Sequence, residues 1–395
     1  MTSGDASELV RAALPECLER GEIGLQVAVW ADGRLVVDEA AGLLAPDGAA
    51  PMTTGTPLPV FSVTKAITAT ALHLQAERGL VDYEAPVARY WPRFAVNGKD
   101  RMTVRDVLSH RSGIPQMPEG VTPELMADWD WMVDRIAGYT PAFPPGTKNG
   151  YQSLVFGWTV GEIVRRTDPR GRGFAGFVQD EIFTPLAMTD CWMGAPADEL
   201  HRVPALVGVG ATEVRQLGGE GPGELAKRAM PAAVAPSATV HNLPVVRGAV
   251  LPGAGAIGPA HSLVRLFALL AGGGELDGVR LLSERRVRAC LAPRENPDEL
   301  DTVFGGGNRI APPIGRGGYW TAHDLFGGGP VLCHPGAGAS IGWANVDTGL
   351  ALVVTHNRMF GFDPRLHEVR DHPFFPILAA LSTAYPESFA SASGS

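Results

Sequence analysis

The stretch Phe61-Ser62-Val63-Thr64-Lys65 stands where a loop rich in Gly, Pro and Thr runs into a long apolar segment. Its serine and lysine are three residues apart, so on a helix they share one face and the amine can reach the hydroxyl. A serine needs a neighbouring base to act as a nucleophile, and a lysine provides one if burial lowers its pKa. The N-terminus of this helix also offers N–H groups that can stabilise an oxyanion. The stretch therefore predicts a nucleophilic site at Ser62 and Lys65.

The same pair of residues also fits a simpler interpretation, in which the serine caps the helix and the lysine points into solvent. The apolar residues that follow Lys65 leave little polar surface on the helix predicted over residues 62–79, which indicates a helix buried between layers. Gly79 is placed to end that helix. Burial would lower the pKa of Lys65, which is the direction that a catalytic base requires.

The composition is that of a globular chain of 395 residues with 45% hydrophobic residues and a net charge of −9. No run of Lys or Arg provides the basic surface that a phosphate backbone needs, so we expect no nucleic-acid partner. No signal-peptide pattern and no apolar run of membrane-spanning length is found, so we expect a cytoplasmic protein without a membrane partner. Four widely spaced cysteines suit buried free thiols better than disulfides or a zinc site.

Strand-like patterns lie near both ends of the sequence, and helical patterns lie between them. Residues 24–30 and 34–40 alternate as a hairpin around Asp32-Gly33, and residues 331–334, 340–345 and 350–355 read as three successive strands. Further helices are predicted at 6–20, 103–110, 153–166, 261–270, 283–289 and 374–384.

This arrangement predicts an α+β fold in which one antiparallel sheet is built from both ends of the chain and flanked by helices. We expect residues 1–85 and 255–395 to form this α/β domain. Residues 86–254 are expected to form an inserted, mostly helical domain. The active site would lie in the cleft between the two, because clefts are frequent at domain boundaries.

Three more stretches follow Ser62-x-x-Lys65 in order. Leu108-Ser109-His110-Arg111-Ser112-Gly113-Ile114 ends a predicted helix, Pro145-Gly146 is followed after four residues by Tyr151-Gln152-Ser153, and His334-Pro335-Gly336-Ala337 lies on a predicted strand. The set resembles the signatures of the serine β-lactamase and penicillin-binding-protein family. Within that family it is most similar to the family VIII carboxylesterases, which are related to class C β-lactamases.

The resemblance implies the serine β-lactamase/penicillin-binding-protein fold and a set of site residues. Ser62 would be the nucleophile, and Lys65 with Tyr151 would form the base system. A tyrosinate would need neighbouring positive charge, which Lys65 or Lys148 could supply. The backbone N–H groups of Ser62 and Ala337 would form the oxyanion hole.

Two further positions carry the resemblance but depart from the β-lactamase pattern. His334 and Gly336 belong to the third motif, where β-lactamases have Lys-Thr-Gly, and Ser153 stands where they usually have asparagine. An imidazole in place of the lysine should bind the carboxylate of a β-lactam more weakly, and the asparagine amide that holds its side chain is missing. His334 would either contact the substrate or the tyrosine, or simply occupy the place of that lysine.

We therefore expect a serine hydrolase that cleaves carboxylic esters, short-chain ones in particular, through an acyl-Ser62 intermediate, with a small-molecule substrate and no cofactor. One alternative is an acyltransferase, or an amide-forming or amide-hydrolysing enzyme, with the same intermediate. A β-lactamase or D-amino-acid peptidase is a third possibility. A non-catalytic binding protein of this fold would be expected to lack one of Ser62, Lys65 and Tyr151, and all three are present.

Other motifs predict no additional site. Gly338-Ala339-Ser340-Ile341-Gly342 fits G-x-S-x-G, but that nucleophile elbow needs a helix after the serine, and here a strand is predicted. The two histidines of His367-Glu368-Val369-Arg370-Asp371-His372 are one position too far apart for the zinc motif H-E-x-x-H, and we expect no metal. The glycine runs 305–307 and 327–329 lack the lysine of a phosphate-binding loop.

Overall fold

The structure is a computed structural model that describes residues 3–208, 223–304, 311–322, 330–360 and 372–389. The α-helices are α1 (Ser3–Glu19), α2 (Thr64–Glu77), α3 (Val104–Leu108), α4 (Pro123–Ala127), α5 (Trp129–Ala137), α6 (Val155–Thr167), α7 (Phe174–Val178), α8 (Glu224–Ala229), α9 (Ala238–His241), α10 (Pro244–Arg247), α11 (Ala260–Ala271), α12 (Glu284–Ala289), α13 (Phe375–Ala384) and α14 (Pro386–Phe389). The strands are β1 (Gly24–Ala31), β2 (Arg34–Gly42), β3 (Leu58–Pro59), β4 (Trp192–Met193), β5 (Val207–Gly208), β6 (Ala256–Gly258), β7 (Glu275–Leu276), β8 (Val279–Arg280), β9 (Val331–Pro335), β10 (Ile341–Asn345), β11 (Ala351–His356) and β12 (Arg358–Met359). Both glycine runs and residues 367–371 of the histidine pattern lie outside the described residues.

The main sheet has five strands in the order β2-β1-β11-β10-β9, and every neighbouring pair is antiparallel. Strand β1 lies between β2 and β11 and pairs with β11 from Leu25↔His356 to Trp30↔Ala351. The two ends of the sequence therefore share one sheet, as the strand patterns predict. The predicted α+β fold is confirmed.

Strand β1 is buried along its whole length because helices cover both faces of the sheet. One set of alternate residues, including Leu25 and Val27, packs in a core with residues of α1 and α13. The other set, including Ala28 and Trp30, packs in a second core with residues of α11. A strand with two apolar faces is what a sheet between two helical layers requires.

Gln26 is a polar residue of β1 that fixes the loop in front of Ser62. Its amide nitrogen donates to the carbonyl oxygens of Thr53 at 2.6 Å and Thr56 at 2.8 Å. Its amide oxygen accepts from Ala260 N at 2.9 Å and Thr355 Oγ1 at 3.0 Å. Because Gln26 is only 1% exposed, this satisfied amide ties the loop, the sheet and α11 together.

Helix α2 is buried on all sides from Thr64 to Ala76, as the sequence predicts. It packs against α6 and α7 and also against β9. The helix was predicted to begin at residue 62. In the structure Phe61–Val63 forms a 3₁₀ turn, and the α-helix begins at Thr64. Gly79 follows the helix in the left-handed conformation with φ +73°, which is the predicted terminating role.

Short helices are the main regular secondary structure in the described part of residues 86–254. A small sheet in the order β3-β6-β4 joins the segment before Ser62 to residues on either side of the proposed domain boundary at 254/255. The division into two domains stays a prediction. Within the described ranges no helix is both long and apolar enough to cross a membrane, and all four cysteines are buried free thiols.

Candidate active site

Ser62 is the one accessible residue in a long buried stretch. Every residue from 56 to 76 is buried except Ser62, which is partly exposed. Its neighbour Phe61 has a φ of +48°, a conformation that a bulky side chain rarely adopts. The ring of Phe61 packs against the buried His241 with ring centres 4.5 Å apart. This packing holds the strained residue, and backbone strain of this kind is concentrated at functional sites.

Lys65 is fully buried beside the Ser62 hydroxyl. Its Nζ lies 2.8 Å from Ser62 Oγ and donates a second hydrogen bond to the carbonyl oxygen of Gly253 at 2.9 Å. Among the described residues no carboxylate is paired with this amine, and desolvation lowers the pKa of Lys65 from 10.5 to about 7. A large fraction of the lysine side chain is therefore neutral at physiological pH.

The loop that contains Gly253 runs along α2 and excludes water from Lys65. Thr64 Oγ1 accepts from Ala256 N at 2.9 Å, and Thr68 Oγ1 donates to the carbonyl oxygen of Pro252 at 2.6 Å. Helix α6 presses on the other side of the loop at Gly157, where a Cβ atom would clash with the backbone of Gly253. The glycine is needed because α6 and this loop touch backbone to backbone.

The interpretation of Ser62 as a cap and Lys65 as a solvated residue is wrong. The N-cap of α2 is Val63, and neither it nor the 3₁₀ turn before it has a side-chain capping hydrogen bond. Lys65 has 0% exposure. Both side chains instead take part in one buried hydrogen-bonded pair.

Tyr151 joins the Ser62–Lys65 pair from the segment just before α6. Ser62 lies close enough to its hydroxyl to affect the pKa of Tyr151, and the Lys65 amine lies 5.4 Å from the centre of its ring. Burial raises the pKa of Tyr151 above its usual value of 10, the Ser62 side chain lowers it, and the charge of Asp301 raises it again. The phenol is thus protonated at neutral pH, and the tyrosinate considered from the sequence is disfavoured. Lys148, the other cation considered, is exposed.

The third motif lies at the end of β9, next to the Ser62 turn. Gly336 approaches so closely that a Cβ atom there would clash with the carbonyl oxygen of Val60, and Ala337 packs with Phe61. Among the described residues, neither Ser62 N nor Ala337 N has an acceptor. Two unpaired N–H groups on adjoining segments are the arrangement that an oxyanion hole requires.

His334 is buried on the same strand, and its Nδ1 donates to the carbonyl oxygen of Pro335 at 2.8 Å. Its charge, when present, lowers the pKa of His110, which places it close to the same cluster. Ser153 is 5% exposed, and its Oγ has no hydrogen-bond partner in the part of the chain that the structure describes. The structure brings Ser62, Lys65 and Tyr151 into contact, but it does not connect Ser153 to them.

Aromatic rings continue from Tyr151 along one side of the site. Phe304 meets Tyr151 edge to face with centres 5.2 Å apart, and Trp320 meets Phe304 in the same way at 6.0 Å. The Trp320 ring lies 6.1 Å from that of His334. These four rings form the aromatic wall, a name used below for Tyr151, Phe304, Trp320 and His334.

Several residues at the site were not singled out from the sequence. The role of the Gly253 carbonyl could not be read from the sequence, because every residue has a backbone carbonyl group. Asp301 accepts from the backbone N–H of Tyr151 at 2.9 Å and forms a fully buried pair with Arg294 at 3.7 Å. His110 belongs to a motif noted in the sequence, but its contacts with Tyr151 could not be read from it.

The G-x-S-x-G motif is followed by a strand, as predicted, and this excludes it as a nucleophile elbow. Ser340 lies in the turn between β9 and β10 and is followed directly by strand residues. Ala339 in this turn has a φ of +85°. The serine is therefore part of a strand connection and not of a nucleophile elbow.

Comparison with known proteins agrees with this geometry. The family model described as Beta-lactamase matches residues 10–372, so the chain belongs to that family. The protein named esterase/beta-lactamase LipL from Mycobacterium tuberculosis is 34% identical over 349 residues, which is 85% of this chain and 77% of that protein.

Two solved structures show the same fold over nearly the whole length. The crystal structure of a family VIII carboxylesterase has a TM-score of 0.82 and 29% identity, and the match covers 95% of this chain and 96% of that one. A penicillin-binding-protein homologue from Caulobacter crescentus also has a TM-score of 0.82, with 27% identity and coverage of 95% and 98%. The predicted family and fold are confirmed, and the chain is a hydrolytic enzyme of the β-lactamase family.

Proposed function

We propose that the protein hydrolyses carboxylic esters with short acyl chains, with Ser62 as the nucleophile. The observation that supports this most strongly is the partly exposed Ser62 held against a buried lysine whose pKa is lowered to about 7. A neutral amine at this position can take the serine proton, which makes the hydroxyl nucleophilic. The esterases among the relatives support the choice of an ester as substrate.

In the first half of the reaction, Ser62 Oγ attacks the ester carbonyl while its proton passes to Lys65 Nζ. The negative charge that develops on the carbonyl oxygen would be held by the N–H groups of Ser62 and Ala337. The protonated lysine then returns a proton to the alcohol as the C–O bond breaks. This step leaves acyl-Ser62 and a free alcohol.

In the second half, water attacks the acyl-serine carbonyl and the same amine accepts its proton. The lysine then returns that proton to Ser62 Oγ as the acyl–Oγ bond breaks, which releases the acid and restores both Ser62 and the neutral amine. Tyr151 stays a phenol throughout, because burial raises its pKa. Its hydroxyl lies close to Ser62, so we assign it to orienting the serine and passing protons between Lys65 and the oxygen atoms of the reaction.

The proposed preference for short acyl chains comes from the aromatic wall. Its packed rings lie beside Tyr151, and we expect them to limit the room for an acyl group. p-Nitrophenyl esters of increasing chain length test this directly. Activity that increases up to palmitate would contradict the preference without affecting the role of Ser62.

The central experiment compares Ser62→Ala with Ser340→Ala. The Ser62 variant should lose esterase activity and labelling by a fluorophosphonate, while the Ser340 variant should keep both, because only the backbone oxygen of Ser340 is used in the turn. Retained activity in Ser62→Ala would overturn the proposal. If fluorophosphonate labelling is lost in Ser340→Ala and kept in Ser62→Ala, the nucleophile belongs to the G-x-S-x-G motif instead.

β-Lactam hydrolysis is the second candidate, because one relative carries the name esterase/beta-lactamase. It would use the same acyl-Ser62, but His334 stands where a lysine would bind the β-lactam carboxylate. A chromogenic cephalosporin measured beside an acetate ester separates the two activities.

The cytoplasmic location expected from the sequence stays a prediction that cell fractionation can test.

A further inference from the structure

His110 contacts Tyr151 and its two neighbours in the chain through both the backbone and the side chain of the histidine. Its carbonyl oxygen accepts from Gly150 N at 2.9 Å, and its Nδ1 accepts from Gln152 N at 2.9 Å. The N–H groups of the two residues next to Tyr151 are therefore both bound to one residue. The N–H of Tyr151 itself is bound to Asp301, so three consecutive N–H groups have fixed partners.

The imidazole ring also packs directly on the tyrosine. The rings of His110 and Tyr151 are stacked with centres 4.7 Å apart, and Phe156 stacks on His110 at 4.8 Å. His110 is thus sandwiched between Tyr151 and a residue of α6. A ring held on both faces can move little, so it fixes the plane of the tyrosine ring as well as its backbone.

The hydrogen bond to Gln152 N requires Nδ1 to carry a lone pair. Burial, followed by the positive charges of Lys65, Arg294 and His334, holds the pKa of His110 well below its usual range. The ring is therefore neutral, with its proton on Nε2. In this form it is an acceptor toward the backbone N–H of Gln152.

The backbone of His110 is also unusual, since its φ is +58° in a residue with 0% exposure. This left-handed conformation lets the carbonyl oxygen and Nδ1 of one residue bind the N–H groups of Gly150 and Gln152. Packing alone would not require a strained, hydrogen-bonding histidine here, because an apolar ring could fill the same space.

We propose that His110 is the positioning residue of Tyr151, which holds the tyrosine hydroxyl against Ser62 through two backbone hydrogen bonds and ring stacking. This inference rests on the proposed function, in which Tyr151 orients Ser62. His110 itself touches no reacting atom. Its loss should therefore lower kcat and leave KM nearly unchanged.

Two substitutions separate its contacts. His110→Phe keeps the ring but leaves Gln152 N without its acceptor, and we expect kcat to fall by about a hundredfold, as for other small displacements of catalytic groups. His110→Asn keeps a side-chain oxygen acceptor and tolerates a positive φ, and it should recover activity to within about tenfold of the wild type.

His73→Phe is the matched control, because His73 is a buried, hydrogen-bonded histidine that stacks on Tyr319 and not on Tyr151. It should lower thermal stability but not kcat.

A double-mutant cycle with Tyr151→Phe decides whether His110 acts through the tyrosine. If it does, His110→Phe/Tyr151→Phe loses no more activity than Tyr151→Phe alone. Losses that multiply, or a His110→Phe enzyme with wild-type kcat, would overturn the inference. If His110→Phe does not fold, the same cycle is measured with His110→Asn, which lacks the stacked ring.

The failure of the proposed function gives a different result. A Tyr151→Phe or Ser62→Ala enzyme with wild-type activity would contradict the proposed function and, with it, the role of His110. An impaired Tyr151→Phe beside an unimpaired His110→Phe would contradict the role of His110 alone.

Discussion

Replacing Lys65 by methionine should remove esterase activity and at the same time stabilise the protein at neutral and acidic pH. Methionine has a similar length and no charge, so it fills the buried space without the desolvation that lowers the pKa of Lys65 to about 7. In the unfolded chain the amine has its ordinary pKa of 10.5. Between these two pH values unfolding takes up a proton, so the wild type becomes more stable as the pH rises.

The magnitude follows from the same two values. One pH unit of difference in pKa corresponds to about 1.4 kcal/mol, so burying the charged amine costs roughly 5 kcal/mol below pH 7. Methionine loses the hydrogen bond to the Gly253 carbonyl, which costs about 1–3 kcal/mol. The variant should therefore be more stable by roughly 2–4 kcal/mol near pH 6. This advantage should fall by about 1.4 kcal/mol per pH unit above pH 7 and reverse between about pH 8.5 and pH 10.

Chemical denaturation followed by tryptophan fluorescence, with reversibility checked at each pH, measures the free energy of unfolding of both proteins. Lys99→Met is the control, because Lys99 is also buried, with a pKa lowered to about 8, but lies outside the site. It should show the same trend about one pH unit higher and keep its activity. Parallel stability curves for wild type and Lys65→Met would refute the reasoning, since they would mean that the buried amine does not titrate near neutral pH.

Three other predictions concern the same site. The kcat/KM for a short ester should rise about tenfold per pH unit up to pH 7 and then level off, because only neutral Lys65 accepts a proton, and a rate that falls with rising pH over this range would contradict that role. Gly336→Ala should lower kcat by about a hundredfold in steady-state assays, because its Cβ would displace the third motif from the Ser62 turn; wild-type kcat would refute this contact. Gly157→Ala should lower both kcat and the free energy of unfolding, the latter by about 1–3 kcal/mol in denaturant titrations, while Gly173→Ala, whose Cβ meets nothing within 4 Å, should change neither.

The fold could be predicted from the sequence where the signal is local. The alternation in residues 24–30 matches β1, and the apolar run after Lys65 matches α2, because each pattern reports burial of one element. Residues 193–258 could not be assigned, since α8, α9 and α10 are each too short for a helical period to show.

The chemistry of the site was less predictable, because it depends on residues distant in sequence. The partner of Lys65 is a backbone carbonyl 188 positions away, and the carboxylate that raises the pKa of Tyr151 lies 150 positions from it. The motifs therefore led to Ser62, Lys65 and Tyr151, but not to which of the last two is the base. The catalytic roles of these three residues, like the roles of Ala337, His334, Gly336 and Ser153, stay predictions.

The pairing of β1 with β11 has a consequence for how the enzyme is made. The ribosome synthesises Ser62 and Lys65 long before β9, β10 and β11, yet these late strands complete the sheet beside the Ser62 turn. Contacts between such distant parts of a chain form late and slowly. A nascent chain can thus contain the complete α2 and still be unable to form an acyl-enzyme, so esterase activity should mark the moment at which the last strands join the sheet.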